Sequence, residues 1–322
     1  MTKPESFENR LAELAALADS VETPETRKQL RKHLTSRASP IVARAAQIIA
    51  TIENHDFVPD LVQAFHRFLI DPIKTDKGCV AKSAIVKALL AADCDDEELF
   101  RKGVKHVQLE PTWGGRADTA APLRALCGLG LIQVGARDAM DELAVLLADK
   151  EADARIGAAS ALGHCGPTAT PLLRFKALTG DEESAVLAEC LYSLMNHAPG
   201  DSLPFVASFV DPEYPSLYEH AALTIAESRL PGVLELLQDK WTTTFDREFK
   251  KTLLLPMALT RSEDARNFLL SIIEDGEIAM ATSAIKALRI FGADDTLRSR
   301  LEDAIEGANK SQLLAIVRRE LD

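Results

Sequence analysis

The sequence predicts an all-α protein, an α-solenoid of about eight helix pairs closed by helical caps, and three observations predict it. First, the run at residues 149–163, DKEADARIGAASALG, recurs along the chain. Equivalents of its Arg155 fall at Arg44, Lys82, Thr119, Leu187, Glu219, Glu248 and Ala281, at steps of 29 to 38 residues. Second, a small residue follows six positions after most of these anchors, at Ala50, Ala88, Ala125, Ala161, Ser193 and Ala287. An apolar residue comes next, at Leu89, Leu126, Leu162, Leu194, Leu255 and Leu288, while Ile225 and Leu254 interrupt the small column. Third, alternating β-branched runs bounded by turn dipeptides do not occur, so no sheet is indicated.

The physics of the column is helix against helix. A small side chain lets two backbones approach, and the neighbouring leucine fills the groove between units. An apolar helix precedes each anchor helix, at 61–70, 139–147, 172–178, 203–210, 233–237 and 268–273. Asp181, Asp201, Ser262 and Asp294 stand where N-caps are expected. A single unit cannot bury its own apolar face, so stacked units share one core.

The ends depart from the repeat. From Pro4 to Leu34 the chain holds two short amphipathic helices, with Phe7, Leu11, Leu14, Leu17, Leu30 and Leu34 facing inward. Toward the C-terminus, Leu301, Ile305, Leu313 and Ile316 form a matching stripe. Length alone suggests about two domains, but the repetition and the lack of a Gly-, Pro- or Ser-rich linker favour one. The expected organisation is a single elongated domain, with an N-terminal cap over 1–38, repeats over 39–291 and a C-terminal cap over 292–322.

The motif Asp149-x5-Arg155-x2-Ala158-x2-Ala161-Leu162-Gly163 resembles a HEAT repeat of the short type also found in phycobilisome-lyase proteins. The resemblance runs by repetition from about Ser39 to Phe291 and is strongest in this one unit. In such repeats the Asp and Arg tie neighbouring units together, which implies structural roles for Asp149, Asp153 and Arg155. The resemblance implies a fold and no particular chemistry, because many activities share one fold.

Composition narrows the classes. The chain has 322 residues, of which 47 % are hydrophobic, 27 % charged and 5 % aromatic. Such a chain buries enough apolar surface to fold, and five cysteines are too few for a disulfide-stapled miniprotein. The cysteines are odd in number and form no C-x-x-C pair, which fits buried thiols in a reducing cytoplasm. The first twenty residues carry Glu5, Glu8, Arg10 and Glu13 where an export leader needs an apolar core. The uncharged run between Arg155 and Arg174 contains Gly163, Gly166 and Pro167, and reads as one helix ending and another starting, so no membrane partner is expected.

Net charge is −12, with 21 basic against 24 acidic residues over 1–160 and 16 against 25 over 161–322. That balance argues against nucleic acid as a partner. Residues 27–44 hold six cations and no acid; Arg27, Lys28, Arg31 and Lys32 make a helical stripe that reads as a solvated face or a docking patch for an acidic partner or nucleic acid. Asp93, Asp95, Asp96, Glu97 and Glu98 read as a helix start without EF-hand spacing. His164 and Cys165 lack further ligands at metal spacing. No His-Glu dipeptide occurs, which sets the chain apart from the di-iron HEAT-repeat hydroxylases.

The most unusual segment is Glu110-Pro-Thr-Trp-Gly-Gly-Arg-Ala-Asp-Thr119. Paired Gly114 and Gly115 permit positive φ and expose N–H groups. Asp118 and Thr119 are placed to cap the next helix, and Arg116 and Arg124 offer cations nearby. Two readings stand: a loop that grips a peptide or an anion with Trp113 as anchor, or a longer loop whose Trp folds back over the core. The candidate partner-binding set is Trp113, Gly114, Gly115, Arg116, Asp118 and Arg124, with no catalytic, cofactor or metal residues. The sequence points to a non-enzymatic scaffold for a protein partner. A lyase-like enzyme or prosthetic-group chaperone, by similarity to bilin lyases, is the alternative, and nucleic-acid binding a third reading.

Overall fold

The computed structural model describes residues 7–17, 23–52, 54–292, 295–308 and 310–321. Pro4 and the expected cap Asp294 lie outside them. The described residues are all-α apart from one short hairpin, and the chain divides into two compact units, Met1–Leu172 and Leu173–Asp322.

The first unit contains α1 (Phe7–Leu17), α2 (Pro24–Leu34), α3 (Ser39–Ala50), α4 (Val58–Phe68), the single turn α5 (Pro72–Thr75), α6 (Val80–Ala91) and α7 (Glu97–Val104). A hairpin follows, β1 (Leu109–Thr112) and β2 (Gly115–Asp118), and then α8 (Ala121–Gln133), α9 (Ala139–Leu146) and α10 (Ala152–Gly163). Helices α3, α6, α8 and α10 pack each against the next, while α2, α4, α7 and α9 lean on α3, α6, α8 and α10 respectively. This is the contact pattern expected when successive units share a core. Small residues set the approach: a Cβ on Gly157 of α10 would lie 3.1 Å from the Ala125 Cα of α8, and one on Gly130 would enter the Phe100 ring. Phe57, Phe65, Phe68 and Phe100 fill the space between helices.

Helix α11 (Thr170–Thr179) crosses the boundary between units. In the second unit follow α12 (Ser184–His197), α13 (Pro199–Ala207), α14 (Tyr218–Glu227), α15 (Val233–Thr243), α16 (Arg247–Leu259), α17 (Glu263–Asp275), α18 (Ile278–Leu288), α19 (Asp295–Gly307) and α20 (Leu314–Leu321). The even-numbered helices from α12 to α18 again stack in succession. Leu301, Ile305 and Leu313 join the core of α17 and α18, with Ile316 packed at its edge. None of the described helices is long and apolar enough to cross a membrane.

Several expectations need correction. A sheet does exist, the two-stranded hairpin. Its Leu-Glu-Pro-Thr strand has no β-branched alternation, and Pro111 is tolerated because both strands of a two-stranded sheet are edges. The third anchor is Arg124, not Thr119: Asp76/Lys82, Asp118/Arg124 and Asp149/Arg155 share one six-residue spacing, and the hairpin is an insertion ahead of the third. Six residues after Arg124 come buried Gly130 and then Leu131. Arg44 is exposed, and its side chain donates to Gln47 one turn further on. Leu255 is exposed as well, because Leu253 and Leu254 supply the core face of α16. Ser262 caps α17 through Ala265 N–H, whereas Asp201 lies inside the first turn of α13 and Asp181 accepts from Glu183 N–H ahead of α12.

Candidate functional site

The hairpin is the feature that interrupts the helical pattern, and its base is held by a buried polar network. The pairing runs Leu109↔Asp118 to Thr112↔Gly115, which leaves Trp113 and Gly114 as the turn. Gly114 takes φ of +100°, a conformation that glycine adopts freely. Gly115 does not share it and sits in β2 as an ordinary strand residue. Trp113 is fully exposed at the tip, so the indole does not fold back over the core. Arg116 is exposed too, opposite Pro111 in the register, and no ion pair involves it among the described residues. Gly114 and Gly115 have open space where a Cβ would stand.

Asp118 and Arg124 belong to the base instead. Their side chains are 6 % and 4 % exposed. Arg124 Nη1 donates to Asp118 Oδ2 at 2.7 Å and to the His106 carbonyl, while its Nε and Nη2 donate to both oxygens of Asp149 at 2.9 Å. Asp118 Oδ1 also accepts from Gln108 N and Ala120 N. Neither Asp118 nor Thr119 is the N-cap of α8: that position is Ala120, and the Thr119 hydroxyl donates to Glu110. Buried Glu110 Oε1 further accepts from Gly78 N and Gln108 Nε2, both at 2.6 Å. Gln108 Nε2 reaches the Asp76 carbonyl, and fully buried Asp76 and Lys82 pair at 2.9 Å. At the far end Arg155 Nη1 donates to the carbonyls of Asp149 and Lys150. One chain of charge therefore links the turns ahead of α6, α8 and α10 to the hairpin base. Asp153, by contrast, is exposed.

Burial alone would push the Asp118 and Glu110 carboxyls up. The donated hydrogen bonds outweigh it in both, with the Arg124 charge assisting at Asp118 and that of Lys77 at Glu110, and hold them below the usual carboxylate range. Burial likewise works against the Arg124 cation, yet its two aspartates raise its pKa above the ordinary value. The Cys79 thiol is pushed up to about 11 by burial, and Cys127 is pushed higher still. Both thiols stay protonated near neutral pH and are poor nucleophiles. Among the described residues no group of three or more His, Cys, Asp or Glu side chains is placed to hold a metal ion. The arrangement suits presentation of a rigid apolar tip to another molecule.

The other segments marked in the sequence resolve simply. Arg27 and Arg31 of the basic stripe pair with Asp56 and Asp60, leaving Lys28 and Lys32 exposed. Asp96 caps α7 through Leu99 N–H. His164 is the C-cap of α10. Sequence reasoning passed over Trp241, whose surroundings form a pocket of about 510 Å³ in the second unit.

No family model matches the chain, and no curated protein matches it. Among solved structures, the crystal structure of an engineered protein aligns over 99 % of this chain and 95 % of its own at 19 % identity, with a TM-score of 0.35. A likeness of that size carries no argument about fold or function.

Proposed function

We propose that this protein is a non-enzymatic interaction scaffold, an α-solenoid of HEAT-like repeats that recognises a protein partner through the 109–118 hairpin. The observation that carries the reading is the fully exposed Trp113 at the tip of a hairpin whose base is locked by buried charges. An indole left in water forgoes the stabilisation of burial, and rigidly presented Trp is the residue type most enriched among binding hot spots. Leu109, Pro111 and Thr112 beside it are exposed as well, with Arg116 as a cation at the flank. The contact surface is thus Trp113, Gly114, Gly115 and Arg116, while Asp118 and Arg124 support it from below. The five free thiols suit a reducing cytoplasm.

The test is a pull-down from source-cell lysate with the wild type and Trp113→Ala, partners being identified by mass spectrometry. The expected result is a partner lost from the variant while its melting temperature stays unchanged. A partner retained by the variant would move the binding face away from the hairpin. No partner at all would overturn the scaffold reading.

A further inference from the structure

The second unit holds a pocket of about 510 Å³ between α15, α16 and the α17–α18 turn, within the range of small-molecule sites. Its walls mix aromatic and apolar side chains with charged ones. Trp241 meets Phe268 edge-on at 5.4 Å between centroids, Met280 lines the same space, and Phe245 at the rim is 98 % exposed. A phenylalanine held almost wholly in water beside a half-open aromatic cleft is a wall with one side unfilled.

The charges of the pocket are segregated. Arg247, Lys250 and Lys251 all come from α16, Asp275 from the last turn of α17 and Glu277 from the link to α18. Arg247 is paired with Glu277 at 2.9 Å and Lys251 with Glu248 at 2.6 Å. Lys250 has no carboxylate partner among the described residues; its ammonium lies over the Trp241 ring, 4.4 Å from the centroid. That position keeps a ligand cation off this face of the indole and leaves a cation free to meet an anion. The Trp241 Nε1–H is buried without an acceptor among the described residues. Asp275 and Glu277 also line the pocket and disfavour an anion beside them, which leaves Lys250 as its place.

We infer that this pocket binds an aryl carboxylate, its ring against the Trp241–Phe268 pair and Phe245 and its carboxylate on Lys250. The chain contains two Trp, so in a Trp113→Phe background Trp241 fluorescence reports the pocket alone. The probes are 4-phenylbutyrate, 4-phenyl-1-butanol and 4-phenylbutylammonium, which share one apolar body and differ in charge. The expected result is a saturable change in emission, with the carboxylate binding tightest and the ammonium weakest. Lys250→Gln should weaken the carboxylate about tenfold and leave the alcohol unmoved. Phe245→Ala, at a position too exposed to affect folding, should weaken both. No saturable response to any probe, a preference for the ammonium, or full carboxylate affinity in Lys250→Gln would each overturn the assignment.

Discussion

Arg116 and Arg124 are the same residue type eight positions apart, yet one stands in solvent and the other lies between Asp118 and Asp149. Their substitutions should differ accordingly. Arg124 keeps Asp149 when Asp118 is removed, but the Gln108 and Ala120 N–H groups lose their acceptor, so Asp118→Ala should destabilise the chain by about 1–3 kcal/mol in denaturant unfolding. Trp113→Ala should change stability by less than about 0.5 kcal/mol, as for other exposed sites free of special contacts. Equal effects of the two would mean that the tip is packed rather than presented. Acid gives a second readout at this scale. The Asp118 and Glu110 carboxyls are depressed in the folded state, so their stabilisation is complete above the unfolded carboxylate pKa of about 4 and fades as pH falls through the folded values. Melting temperature followed from neutral pH downward should drop below about pH 4, and less steeply in Asp118→Asn, which starts from a lower value. An unchanged acid slope in that variant would remove Asp118 from the account.

At the scale of elements, the close approach of α8 and α10 depends on Gly157 facing Ala125. Because the nearest atoms are the backbone and Cβ of Ala125, there is no flexible side chain to yield. Gly157→Val should therefore separate the helices and lower stability by about 1–3 kcal/mol or more despite removing a helical glycine. A thermal melt at or above that of the wild type would show that the contact is looser than described. The apolar spacing that gives α9 was legible in the sequence at 139–147. The register around it was not. Thr119 was placed as the third anchor because repeat spacing is read along the chain, and an inserted hairpin shifts every count that follows until the next anchor restores it. Only the buried Asp118–Arg124 pair reveals the shift, although the Asp-x5-Arg spacing was there to be matched.

For the molecule as a whole, 49 acidic against 37 basic residues leave a net charge of −12. Self-repulsion of that size opposes compaction and is screened within about 10 Å at 0.1 M salt. Melting temperature should accordingly rise when sodium chloride is raised from about 10 mM to about 200 mM. A fall would mean that exposed pairs such as Arg300–Glu263 and Arg289–Glu320 matter more than the net charge.

Sequence by itself determined the helical class and the apolar faces of individual helices such as α9. These follow from local periodicity, which each segment carries on its own. Tertiary structure alone decided that Trp113 is exposed, that Asp118 and Arg124 serve the hairpin base, and that Trp241, Phe268 and Lys250 line one pocket. Those outcomes depend on which side chains from distant segments meet, as Gly78 meets Glu110 across 32 positions. Burial and pairing are properties of that meeting, and no residue type carries them in advance.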